Sequence, residues 1–261
     1  MFEVTDKTAL HLHTWRCNHC EGTEKEFIEK GITLGIETMA FTCHAPFPGD
    51  SFRFRMKMEQ LPEYLETLRR LRAEYNGQVT IKIGLEMEYV PIYDSYYQEL
   101  QESGFFDLFI LGQHFSLLSD GTYTFESKEK LCEARLLADG MIAGMESGYF
   151  DIVAHPDQIF RRQKRWDANA DTISNEIKEC ATRTGVFLEK NISSMIAKRK
   201  KHVYWPEFWD TLPVGVRTVY GLDAHSVEEL EEHYRMQVQL LGEMRKNVHI
   251  QDSRGQSNDK Y

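Results

Sequence analysis

The chain has 261 residues, with 31 Lys and Arg against 41 Asp and Glu for a formal charge of −10, and 41% hydrophobic and 12% aromatic residues. That balance excludes fibrous and disordered classes, and the acidic surface disfavours duplex nucleic acid as a partner. No run approaches the roughly 18 apolar residues of a membrane span, and Met1-Phe2-Glu3-Val4-Thr5-Asp6 lacks the regions of an export signal, so a cytoplasmic protein without membrane partners is expected.

Seven short runs rich in β-branched and apolar residues read as strands, each followed by a spacer long enough for a helix. Ala9 to His13 is the first and the weakest by propensity. Thr23-Glu24-Lys25-Glu26 is a capping box, in which a hydroxyl and a carboxylate each satisfy an orphan backbone donor, and it predicts a helix from Glu24. Thr38 to His44 is the second strand. Between Met58 and Tyr75, residues Leu61, Leu65, Leu68, Leu71 and Tyr75 recur at threes and fours, which lays an apolar stripe along a helix. Val79 to Met87 and Phe106 to His114 are the third and fourth strands, and Ser127 to Glu146 predicts the next long helix. The fifth strand, Phe150 to His155, is followed by a helix over Asp171 to Thr184. Val186 to Lys190 and Arg217 to His225 are the last two strands, and Val227 to Met244 is the closing helix. This alternation predicts a parallel sheet with crossover helices, rolled into a barrel or left open. One domain is expected over residues 1–246, with a polar tail over 247–261.

The strand ends carry the chemistry. Six of the seven runs finish in metal-competent side chains: His11 and His13, His44, Glu86, His114, His155, and Asp223 with His225. In a parallel barrel all strand ends open onto one face, so these residues converge there despite their separation in sequence. His11 and His13 are i and i+2 on one strand, as are Asp223 and His225, and each pair projects to the same side. A lone histidine is more often a hydrogen-bonded core residue than a ligand, but seven of the ten histidines fall at or just after strand ends. Packing does not explain that concentration. Unpaired imidazoles and carboxylates in one pocket are costly without cations, and a cluster of this size implies two or three ions of zinc, iron or manganese.

His11-Leu12-His13, Thr42-Cys43-His44, Gly84-Leu85-Glu86, Gly112-Gln113-His114, Ala154-His155-Pro156-Asp157 and Leu222-Asp223-Ala224-His225 together resemble the ordered motifs of the PHP (polymerase and histidinol phosphatase) superfamily. Cys17-Asn18-His19-Cys20-Glu21-Gly22-Thr23 and His44-Ala45-Pro46-Phe47-Pro48 resemble its histidinol-phosphatase branch. The resemblance implies an α/β fold, a distorted seven-stranded (β/α) TIM-like barrel with three divalent metal ions at the C-terminal ends of the strands. It places His11, His13, Glu86 and Asp223 on one ion and Glu86, His114 and His155 on the second, with Glu86 bridging. The third takes His19, His44 and His225. Glu88 is a fallback for the bridge. Glu86, Asp223 and His225 carry catalysis by the same resemblance.

Clustered cations lower the pKa of bound water and neutralise phosphate oxygens, which makes hydroxide available for attack on a phosphoester. Two basic runs follow the fifth and sixth strands: Arg161, Arg162, Lys164 and Arg165, then Lys198, Arg199, Lys200 and Lys201. They open onto the metal face, where an Arg fork can bind phosphate. By similarity to histidinol phosphatases, Arg161 is the phosphate-binding residue and Arg199 a second. The expected activity is hydrolysis of a small phosphate ester, L-histidinol phosphate foremost. The alternatives are a PHP phosphoesterase directed at nucleotide 3′ ends or phosphotyrosine, and a non-catalytic metal-binding module. Asp157 and Glu21 are candidate acids for the leaving oxygen. Cys17-x-x-Cys20 and Cys43, the latter standing where relatives place an acidic residue, raise a lesser thiolate or redox reading, and the five cysteines suit reduced thiols.

Overall fold

The computed structural model describes residues 4–49, 52–126, 133–197 and 203–255. Every predicted strand run contains a strand: β1 (Thr8–Leu12), β2 (Thr38–Phe41), β3 (Thr80–Met87), β4 (Leu108–Leu111), β5 (Ile152–Val153), β6 (Phe187–Asn191) and β7 (Thr218–Gly221). They form one seven-stranded parallel sheet in chain order. Its edges approach each other, because Leu222 N–H donates to Leu10 O at 2.9 Å and His13 N–H to Ala224 O at 3.1 Å. The result is a nearly closed TIM-like barrel.

Alternation along the strands sorts side chains into two layers. Leu10, Ala40, Leu108, Ile110, Ile152, Ala154 and Val219 fill the barrel interior. Their neighbours on the other face, such as Met39, Phe41, Ile83, Leu85 and Leu111, are buried beneath the helices. Burying each such aliphatic side chain contributes about 1.5–3 kcal/mol before the entropy of ordering is set against it.

The helical shell comprises α1 (Glu24–Thr33), α2 (Leu61–Glu74), α3 (Asp94–Glu102), α4 (Glu133–Ser147), α5 (Ala168–Thr184), α6 (Ile192–Ile196), α7 (Pro206–Asp210) and α8 (Val227–Gly255). The capping box forms as the sequence predicts, with Thr23 Oγ1 accepting from Glu26 N–H and Glu26 Oε2 accepting from Thr23 N–H at 2.7 Å. The leucine stripe of α2 buries Leu65, Leu68 and Leu71 against the barrel. Ser127 to Cys132, the start of the third predicted helix, lies outside the described residues.

Residues 247–255 continue the closing helix α8, and 256–261 lie outside the described residues. Among the described residues, no helix is long and apolar enough to cross a membrane.

Candidate metal centre

The eight side chains read from the strand ends, with His19 from the loop after β1, meet in one pocket at the C-terminal mouth of the barrel. Glu86 is at its centre and fully buried. Its Oε2 lies 3.2 Å from His11 Nε2, 3.5 Å from His13 Nε2 and 3.0 Å from His44 Nδ1. Its Oε1 lies 3.2 Å from His155 Nε2 and 3.6 Å from His114 Nε2. One carboxylate thus faces a separate imidazole group with each oxygen. Asp223 Oδ1 lies 3.3 Å from His13 Nε2. His19, His44 and His225 present ligand atoms within 4.8 Å of one another, and so do His11, His13 and Asp223. His44 therefore belongs to two groups, because it also touches Glu86.

Local backbone conformation makes this convergence possible. His11, His155 and Asp223 all have positive φ, at 64°, 33° and 51°. Left-handed backbone is uncommon for these residues and costs roughly 1–3 kcal/mol at each position. At His11 it accompanies the register irregularity between Ala9 and Leu12, and it lets Leu10 fill the barrel interior while His11 turns into the pocket above. Simple alternation would send one of the two outward.

Behind the ligand-competent groups stand residues that sequence reasoning left unassigned. Glu189, fully buried on β6, accepts from His11 Nδ1–H at 2.8 Å. Asn191 Nδ2 donates to Glu189 at 2.8 Å and to Asp223 at 3.1 Å, tying the sixth strand to the seventh. The sixth run, the one without an obvious ligand in sequence, therefore supplies the support. Glu88, the fallback for the bridge, stands behind His114. It accepts from His114 Nδ1–H at 2.9 Å and is gripped through both oxygens by Arg55, each contact 3.1 Å. A carboxylate behind an imidazole fixes its tautomer and aims the other nitrogen inward, the usual arrangement around metal-binding histidines.

The electrostatics follow from packing acids and imidazoles together without water. Burial alone would raise the Glu86 carboxyl, but His44 and His11 overcome it and hold it well below its usual range. Asp223 is depressed in the same way by His11 and His13. Burial would lower His11, yet Glu189 and Glu86 raise it well above normal, and His13, likewise buried, is pushed up to about 9, chiefly by Asp223. His225 is pushed down to about 3 by burial and by neighbouring His13. The upward shifts of His11 and His13 reflect the negative charge gathered on Glu86, Asp223 and Glu189.

The donor set fits metal. His11 Nε2, both nitrogens of His13, Glu86 Oε2 and His225 Nε2 are buried without a hydrogen-bond partner, and all belong to this pocket. Orphaned polar atoms are rare in folded proteins, and five in one place need a ligand of positive charge. His19 donates from Nδ1 to Cys17 O at 2.8 Å, which leaves its Nε2 for that role.

The remaining candidates lie around the rim. Arg161 donates from Nη2 to His114 O at 2.9 Å and to Glu133 at 3.0 Å, so it sits beside the pocket. Arg199 lies outside the described residues. Asp157 is buried and raised to about 6 by that burial, and it accepts from Trp205 N–H at 2.7 Å. It anchors the chain before α7. Glu21 is joined through its backbone N–H to His225 O at 2.8 Å and keeps an exposed side chain. Cys17 and Cys43 share Thr14 O as acceptor, at 3.1 and 3.5 Å, whereas Cys20 turns to Glu21 O. Cys17 also falls within 4.8 Å of His13 and His225 ligand atoms.

Fold and pocket together define a TIM-like barrel with a multi-histidine, carboxylate-centred site able to hold metal. The chain belongs to the PHP domain family, whose model matches residues 9–193. A Deinococcus radiodurans protein named "Probable histidinol-phosphatase" is 30% identical over 165 residues, 59% of this chain and 62% of the relative. The histidinol-phosphatase of Bacillus subtilis is 32% identical over 129 residues, 43% of this chain and 45% of the relative. The chain thus matches less than two thirds of the length of these curated relatives. The crystal structure of histidinol phosphate phosphatase from Lactococcus lactis, complexed with Zn, L-histidinol and phosphate, has a TM-score of 0.68 at 21% identity, covering 91% of this chain and 94% of that one. That likeness shows the fold.

Proposed function

We propose that this chain is a metal-dependent phosphomonoesterase that converts L-histidinol phosphate to L-histidinol and phosphate. The observation that carries the reading is the meeting of eight metal-competent side chains around Glu86, with Arg161 at their edge. The names of the curated relatives and the ligands of the Lactococcus lactis structure support it. In this reading His11, His13 and Asp223 would hold one divalent cation with Glu86, and Glu86, His114 and His155 would hold a second. His19, His44 and His225 hold a third. Zinc, iron and manganese all suit imidazole with carboxylate.

Bound divalent cations supply Lewis-acid charge and bring the pKa of a coordinated water towards neutrality. The chain's own residues do the rest. Glu86 fixes the spacing of its two imidazole groups by facing one with each oxygen. Glu189 and Glu88 hold His11 and His114 so that Nε2 points inward in both. Asp223 stays ionised against His13 and adds negative charge to the cation cluster. Arg161 offers guanidinium protons to phosphate oxygens, and Glu21 stands on the His225 side as the candidate proton donor to the departing alcohol. The four cysteines among the described residues are free, which suits the reducing cytoplasm assigned here to the reaction.

Zinc- or manganese-loaded protein should release phosphate from L-histidinol phosphate faster than from other small monoesters. Release from none of them overturns the reading. Arg161→Ala should raise KM about ten- to a hundredfold, the cost of one charge-assisted contact, and leave metal content unchanged. Steady-state kinetics with metal analysis checks both. Zinc uptake should also expel about two protons near pH 7.5, since His11 and His13 must lose theirs to bind. Affinity therefore climbs as pH rises from 6 towards 9, and calorimetry in buffers of different ionisation enthalpy measures the proton count.

A further inference from the structure

Phe54 is 63% exposed, and its backbone sits at φ 62°, where a bulky residue is a steric outlier. The next residue explains how it is kept there. Arg55 is buried and clamped through two nitrogens on Glu88, and it also donates to Ala45 O at 3.1 Å. Its guanidinium lies over the rings of Phe47, Phe52 and Phe115 at 5.1–5.6 Å. Asn18 Nδ2 donates to Arg55 O at 3.1 Å, and Met56 N–H to His44 O at 3.4 Å. With Arg55 turned inward and its flanks tied to pocket loops, Phe54 is driven outward. Strain and exposure both cost stability, against a single ring contact within the chain. Such an outlier points from structure to function.

Its ring has one neighbour of consequence. Phe54 stands edge-on to His19, centroids 5.6 Å apart at 83°, and His19 in turn is 4.4 Å from His225 and 5.4 Å from His44. Among the described residues it is the one non-histidine ring in contact with the pocket imidazoles. A phosphate drawn to the cations must seat at the imidazoles, so the ester's carbon portion points out of the barrel mouth, past residues such as this one. We propose that Phe54 receives the organic leaving group and favours esters whose alcohol is flat, cationic or both, by ring packing and cation–π attraction. This inference rests on the phosphatase reading. L-histidinol, with an imidazole and an ammonium, has both properties.

The test compares wild type, Phe54→Ala and Phe54→Tyr on L-histidinol phosphate and on ethyl phosphate, each zinc-loaded. Inorganic phosphate serves as inhibitor. Phe54→Ala should lower kcat/KM for L-histidinol phosphate about tenfold, through KM, while ethyl phosphate hydrolysis and the phosphate inhibition constant stay within about twofold. Phe54→Tyr should restore most of the loss. Equal losses on both esters would mean that the ring acts only through His19, and no loss on either would mean that it touches no substrate. Both results overturn the inference alone. Wild type that hydrolyses neither ester overturns the phosphatase reading and the inference with it.

Discussion

Glu86→Gln is expected to lower kcat at least about a thousandfold and to empty most of the metal from the protein. The substitution keeps volume and shape, so folding is not the cause. It removes the charge that both imidazole groups share and turns one acceptor into a donor facing ring nitrogens 3.2 Å away. In the proposed reading two cations would lose a common anion together, and cation charge is worth several kcal/mol in phosphoryl transition states. Metal analysis of the purified variant beside single-turnover kinetics checks both halves. A variant that keeps full metal and wild-type turnover would remove Glu86 from the centre.

Gly112→Ala is expected to do comparable damage without touching a ligand-competent group. A Cβ at Gly112 would stand 2.1 Å from Glu86 Oε1 and 2.8 Å from its Cδ, closer than any real contact. Glu86 is fully buried and hemmed in by imidazoles, so it cannot swing clear. Overpacking of this kind costs about 1–3 kcal/mol, and here it displaces the carboxylate at the pocket's centre as well. The melting temperature should fall by several degrees and metal content should fall with it. A variant stable as wild type and fully loaded would show that the strand end has slack the packing denies. Gly221 has the same relation to Glu189, where a Cβ would come 2.0 Å from Oε2.

The sequence made the pocket's contents legible because their signal is positional. His44, Glu86, His114 and His155 each close a run of apolar residues, and a parallel barrel sends every such end to one mouth. The capping box at Thr23 was legible for a local reason, since both partners lie within one turn. Arg55 carried no such signal. It lies deep in the loop after β2, and its partner Glu88 is 33 residues away, so only the fold brings them together. Glu189 was hidden because a buried acid inside an apolar strand reads like any surface charge until the barrel closes around it. The polar stretch 247–255 suggested a tail because its composition lacks a core face. The helix instead continues from the residues before it. The left-handed turns at His11 and Asp223 leave no trace in residue type, since neither is glycine.

The seam between β1 and β7 joins the two extremes of the chain, and the pocket is built across it, with His11 and His13 on one side and Asp223 and His225 on the other. A nascent polypeptide therefore lacks a complete pocket until its final strand has left the ribosome. In the proposed reading a cation would load only after synthesis, since half a pocket would hold it weakly and leave it open to exchange.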